Sequence, residues 1–210
     1  LRQRGVDERK ASATELYLCS CYACKLFGNT GIASRIQVGD LYPYRRLEPL
    51  TETRYGVAID RVTGAVAVGP FQMEVVTSAV FIGKLVVRNF TIGQLGLLAA
   101  VLLDIGDGLV ALGHAKSRGL GRVLIRYDSM HLRFSKPLNG SLLGIGALAD
   151  SEVVRDYQLP QNDRLELSNP LDVKRESIYH VLTSKDEQQI RTVLESAVTR
   201  WVQEVATDAR

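Results

Sequence analysis

Apolar positions recur at helical spacing most clearly near the end of the chain. Ile190, Val193, Leu194, Ala197, Val198, Trp201, Val202 and Val205 fall on one stripe, so this helix docks against something. Ser184, with Glu187 three residues on, predicts a capping box ahead of it. A more apolar segment over residues 91–104 predicts a second helix, capped by Thr91. Elsewhere the pattern turns to alternation. Residues 33–40 predict a short strand, and residues 57–60 and 65–68 flank Arg61-Val62-Thr63-Gly64 as the arms of a β-hairpin with glycine at the φ > 0 position. Those arms are light and β-branched, with little to fill a core, so the hairpin is expected to protrude. Residues 71–76 and 80–90 predict strands. Residues 122–134 predict another, with Val123, Ile125 and Tyr127 on one face and Arg122, Arg126 and Asp128 on the other. Residues 43–52 and 136–170 read as irregular connections, the second with a short helix near Ser151. Residues 6–18 predict the tail of a helix, and a chain opening on Leu1 inside that pattern is expected to lack sequence ahead of it.

The junction between the apolar helix and the strand at 122–134 reads Gly113-His114-Ala115-Lys116-Ser117-Arg118-Gly119-Leu120-Gly121-Arg122. Glycines let a backbone approach another chain closely and turn bare N–H groups toward an anion. Lysine adds a point charge for phosphate and arginine a planar fork. From Gly113 to Lys136 there are six Lys and Arg against one Asp, a local +5 within a chain of +3. Residues 151–210, by contrast, carry eight basic and eleven acidic side chains. One part of the molecule therefore suits a polyanion. A P-loop is excluded because Arg118 stands where its second glycine belongs. A dinucleotide fingerprint is excluded because these glycines follow a helix instead of opening one. Nucleic-acid phosphate and a plain solvated loop are the readings left.

With 46% hydrophobic and 23% charged residues, a 210-residue chain has ordinary globular composition and can bury a full core. The longest strongly apolar run, residues 95–103, is far shorter than the ~20 residues of a membrane span, and no signal peptide is visible, so no membrane partner is expected. Asp104-Ile105-Gly106-Asp107-Gly108 lacks the spacing of a calcium loop and reads as the turn after a helix. Trp201 reads as a core or interface anchor. All three cysteines, Cys19, Cys21 and Cys24, lie within six residues, which argues against a secreted disulfide framework and for a reducing, cytoplasmic setting. Their C-x-C-x-x-C spacing is compatible with one structural zinc, the fourth ligand coming from His114, His131, His180 or sequence ahead of Leu1. It is equally compatible with small buried hydrophobes in a loop.

In chain order, Leu26-Phe27-Gly28-Asn29, Ser34-Arg35-Ile36, Ile59-Asp60-Arg61-Val62-Thr63-Gly64-Ala65 and Ser117-Arg118-Gly119-Leu120-Gly121-Arg122-Val123 together resemble the RAMP superfamily, and within it the backbone subunits of type III CRISPR effector complexes. The resemblance covers residues 1–134. It implies an α+β fold: a ferredoxin-like (RRM-like) core lacking its N-terminal strand in this chain, a Cys-rich insertion at 19–30, a thumb hairpin at 53–72, and a helical C-terminal extension, 135–210, packed on the same domain. It implies that Ser34, Arg35, Lys116, Ser117, Arg118, Gly119, Gly121 and Arg122 line a guide-RNA palm. Ile59, Asp60, Arg61, Thr63 and Gly64 would lie in the thumb, which wedges into the guide–target duplex. Cys19, Cys21 and Cys24 match a zinc-binding insertion of some members. One departure is Gly113-His114, where members usually have Gly-Gly.

The implied partners are guide CRISPR RNA, target RNA and neighbouring subunits. The alternative reading is a metal-dependent endoribonuclease cutting target RNA with a divalent cation, its catalytic aspartate lying ahead of residue 1. A guide-processing nuclease is disfavoured, because 88 residues follow a glycine-rich loop that normally sits near the C-terminus. The remaining alternative is a zinc-knuckle interaction module without an RNA role, contacting partners through the Trp201 helix.

Overall fold

A computed structural model describes residues 10–138, 140–167 and 173–208. The chain divides into two units, one formed by Leu1–Arg35 with Val87–Arg210 and the other by Ile36–Val86. The architecture is mixed α+β, with small antiparallel sheets and a long C-terminal helix.

The first unit is organised by two helices, α3 (Ile92–Gly106) and α6 (Glu187–Asp208), which pack on one another. Helix α3 starts where the sequence says it should: Thr91 accepts from the Gln94 N–H and the Gln94 side chain accepts from the Thr91 N–H, closing a capping box. It contacts α6 through small residues. A Cβ on Gly96 would collide with the Ala197 carbonyl, and one on Gly93 with the Glu204 carboxylate and Tyr22 hydroxyl. Ile190, Val193, Leu194 and Ala197 of α6 are buried, so the predicted stripe docks over its first half, while Val202 and Val205 are exposed and Trp201 is half-buried.

Three strands, β7 (Met130–Phe134), β10 (Val173–Glu176) and β11 (Tyr179–Ser184), form a sheet in the order β10-β11-β7. This is the only three-stranded sheet among the described residues. Phe134 and Leu182 from one of its faces join Ile92, Leu95, Val193 and Ala197 in the main core cluster. The pair β8 (Ser141–Leu143) and β9 (Arg164–Glu166) adds Leu142, Leu143 and Leu165. Two short helices, α4 (Ile145–Leu148) and α5 (Ser151–Asp156), lie between them in sequence. Two others, α1 (Ala13–Cys19) and α2 (Tyr22–Phe27), begin the described chain.

A buried carboxylate organises this unit. Asp163, fully shielded from solvent, accepts from the Ile92 N–H at 2.7 Å and the Gly146 N–H at 2.9 Å, and its carbonyl accepts from the Gly144 N–H. It thus satisfies orphan donors at the starts of both α3 and α4, where an anion is favoured by the exposed peptide N–H groups. Gly144 has no side chain because the Asp163 carboxylate occupies the place a Cβ would take.

The second unit is dominated by a hairpin of β3 (Leu50–Ile59) and β4 (Val66–Ser78), with bulges near Gly56–Ile59. Its other pairs are β1 (Ile36–Val38) with β6 (Leu85–Val87), and β2 (Tyr42–Pro43) with β5 (Phe81–Ile82).

Several expectations need correction. The hairpin runs from residue 50 to 78, beyond 53–72, and takes in the strand expected at 71–76. Residues 43–52, expected to be irregular, contribute the start of β3, and the strand expected at 80–90 is broken into β5 and β6 around Gly83. Residues 121–129 form no ladder; the strand expected at 122–134 exists only as β7. Residues 135–210 are not simply helical, since they supply β8 to β11 as well as α4 to α6. The first described helix starts at Ala13, where Ser12 and Glu15 form a capping box, so residues 10–12 are not helical and the rest of the helix expected over 6–18 lies outside the described residues. Ser184 does not cap α6. It ends β11, and Asp186 takes the role, accepting from the Gln188 N–H at 2.9 Å. No helix among the described residues is long and apolar enough to cross a membrane.

Candidate nucleic-acid interface

The glycine-rich segment folds as a loop with a closed neck. The Leu112 N–H donates to the Gly121 carbonyl at 2.8 Å, tying the two ends together. Between them the backbone reverses by alternating handedness. Gly113 (φ 81°), Ala115 (φ 54°), Gly119 (φ 80°) and Gly121 (φ 87°) are left-handed, and Lys116–Arg118 forms one 3-10 turn, in which Arg118 N–H bonds to the Ala115 carbonyl and Gly119 N–H to that of Lys116. Gly121 is required twice over. Its φ favours glycine, and a Cβ there would meet the Leu112 carbonyl oxygen. Around Gly113 and Gly119, by contrast, there is open space, so only their φ angles constrain them. The loop carries Lys116, Ser117, Arg118 and, just past its neck, Arg122, all exposed. Such an arrangement offers long cationic side chains on a fixed backbone to an extended polyanion.

Ser34 and Arg35 lie just ahead of β1, and Arg35 is turned inward. Its Nη1 donates to the Asn89 carbonyl and, at 3.3 Å, to Gln94 Oε1, while its guanidinium lies 5.4 Å from the Tyr17 ring centroid. Tyr17 is itself buried, which pushes its phenol upward against the opposing pull of Arg35. Arg35 therefore braces the start of α3, whereas the glycine-rich loop follows the other end of that helix.

The hairpin tip is built from Asp60 outward. Its Oδ1 accepts from Val62 N–H (2.9 Å), Thr63 N–H (2.7 Å) and Thr63 Oγ1 (2.9 Å), and these donors hold the carboxyl below its usual range. The Gly64 N–H returns to the Asp60 carbonyl, with Gly64 at φ 67°. The tip thus has a defined shape, yet it presents apolar side chains to solvent: Val62 is 92% exposed and Ile59 63%. Arg61 is exposed between them.

The cysteines occupy the α1–α2 junction. Cys19 ends α1. Cys21 caps α2, its Sγ accepting from the Cys24 N–H at 3.4 Å, and that bond lowers the thiol pKa. Among the described residues, no three His, Cys, Asp or Glu side chains are grouped as a metal ion would require. His131 bonds Thr183 across β7 and β11 at 3.2 Å.

Sequence reasoning missed the left-handed Ala115, the Leu112–Gly121 neck and the buried Asp163. The repeated glycines signalled the first two; an aspartate in a polar stretch gave no sign of the third.

No curated protein matches the chain. The RAMP superfamily (RAMPs) matches residues 3–124, a span that holds the cysteines, the hairpin, α3 and the whole glycine-rich loop. That span is more than half of the 210 residues, and the chain belongs to the RAMP superfamily.

Proposed function

We propose that this protein is a guide-RNA-binding backbone subunit of a CRISPR ribonucleoprotein, built on the family's ferredoxin-like core. Family membership points to CRISPR-associated RNA binding in general. The observation that carries the narrower reading is the necked loop with exposed Lys116, Arg118 and Arg122 inside the family-matched span. In this reading the loop holds the guide by its phosphates, without regard to sequence, and base pairing to the target supplies selectivity. The β3–β4 hairpin serves as the thumb, with Ile59 and Val62 meeting the bases of the duplex.

Arg118→Ala combined with Arg122→Ala tests it. Binding of unrelated single-stranded RNAs should weaken together, and the slope of log affinity against log salt should fall by about 1.4, at ~0.7 for each phosphate no longer neutralised. Equal affinity and slope in the double variant, with its circular dichroism unchanged, would overturn the palm assignment.

A further inference from the structure

The sheet β10-β11-β7 has a second face, turned away from the core. Register puts Lys174, Val181 and Arg133 in one row across its three strands, since Lys174 pairs with Val181 and Val181 with Arg133. On the same face, one pair further along each way, lie Tyr179 beside Glu176 and Thr183 beside His131. Val181 is buried yet stands outside the core clusters, while Lys174, Arg133, His131 and Tyr179 are exposed. Among the described residues neither Arg133 nor Lys174 has a carboxylate within ion-pair distance, and Glu176 is the one acidic side chain that the three strands place on this face. Two strand spacings separate the row's outer members, roughly 10 Å.

We infer that this outward sheet face is a second contact surface for single-stranded RNA, lying in the part of the chain beyond the family-matched span. Arg133 and Lys174 take successive phosphates on either side of Val181. Tyr179 offers a ring on which a base can stack, and the Thr183–His131 pair offers a hydroxyl and a ring nitrogen to a ribose 2′-OH. A protein partner fits less well, because Tyr179 is the one large apolar anchor the face exposes. The inference rests on the reading that this chain engages RNA, and its test separates the two.

Arg133→Gln with Lys174→Gln, in the full chain, keeps the side-chain stems and removes both charges. Binding of a long oligouridylate should weaken about tenfold, and the salt slope should fall by about 1.4, in addition to the loss produced by the loop variant. Photo-crosslinking of 4-thiouridine-substituted RNA to wild-type protein should label the peptide containing Tyr179, and Tyr179→Ala should abolish that label. If the glutamine pair binds as wild type and the crosslink is absent while the loop variant fails, the sheet face is not an RNA surface and the loop reading stands. If wild-type protein ignores RNA altogether, both fall.

Discussion

Two glycines eight residues apart in one loop make opposite demands on their surroundings. Gly113 and Gly121 share a left-handed φ, but only Gly121 is pressed against another backbone atom, the Leu112 carbonyl oxygen. Gly121→Ala should therefore break the neck and lower RNA affinity along with stability, whereas Gly113→Ala should cost only its φ strain, ~1 kcal/mol, and leave binding close to wild type. Thermal denaturation and RNA titration of the two variants check this. Asp163 makes a different prediction. Removing it with Asp163→Ala orphans the Ile92 and Gly146 N–H groups, each worth roughly 1–3 kcal/mol when left buried and unpaired. Burial raises its carboxyl above the ordinary aspartate value of 3.8, against the lowering effect of those two N–H donors and of Arg200 and Arg35. The folded state then holds a proton more readily than the unfolded chain. Stability should fall as pH rises from about 3.8 through the raised folded value, and level off above it. Asp163→Asn, which cannot titrate, should lose that slope, as denaturant melts across the acid range would show.

At the scale of elements, the sequence is legible where structure is decided locally. Thr91 announces α3 because a cap needs only residues a few positions apart, and Gln94 closes the box on it. The hairpin turn at 60–65 is readable for the same reason: Asp60 and Thr63 bond each other and Gly64 supplies the positive φ. Elements that depend on remote partners are not. Residues 122–129 alternate like a strand, but a ladder begins only at Met130, where β11 supplies a neighbour. Ser184 has the chemistry of a cap, yet its pairing with Met130 keeps it in the sheet, and the next suitable side chain, Asp186, starts the helix. The α3–α6 contact is half visible: the stripe on α6 predicts a docking partner, while Gly93 and Gly96, which let the helices meet, have no side chains to mark the contacting face. Gly96→Ala should force the two apart, because its methyl would strike the Ala197 carbonyl. An overpacking cost of roughly 1–3 kcal/mol is expected, read as a lower denaturation midpoint without change in the hairpin.

Across the whole molecule, the basic loop and the acidic composition of residues 151–210 set up an uneven charge distribution within a chain of only +3. RNA affinity should accordingly fall steeply with salt, by roughly 10³-fold between 50 and 200 mM if several phosphates are neutralised. A nearly flat salt response would favour a protein-interaction module instead. The sheet face proposed as a second RNA contact is the feature least legible in the sequence of residues 130–184. Nothing in their composition marks Lys174 as a neighbour of Arg133, and only strand register brings the two to one face.

The pairing of α3 with α6 also bears on how the protein is made. Helix α3 ends at Gly106 and its cover begins at Glu187, 81 positions later. At 5–20 residues added per second, the ribosome takes roughly 4–16 s to bridge that gap. For that interval α3, the more apolar of the two long helices, is born without its lid, which makes it a segment that a ribosome-associated chaperone would be expected to shelter.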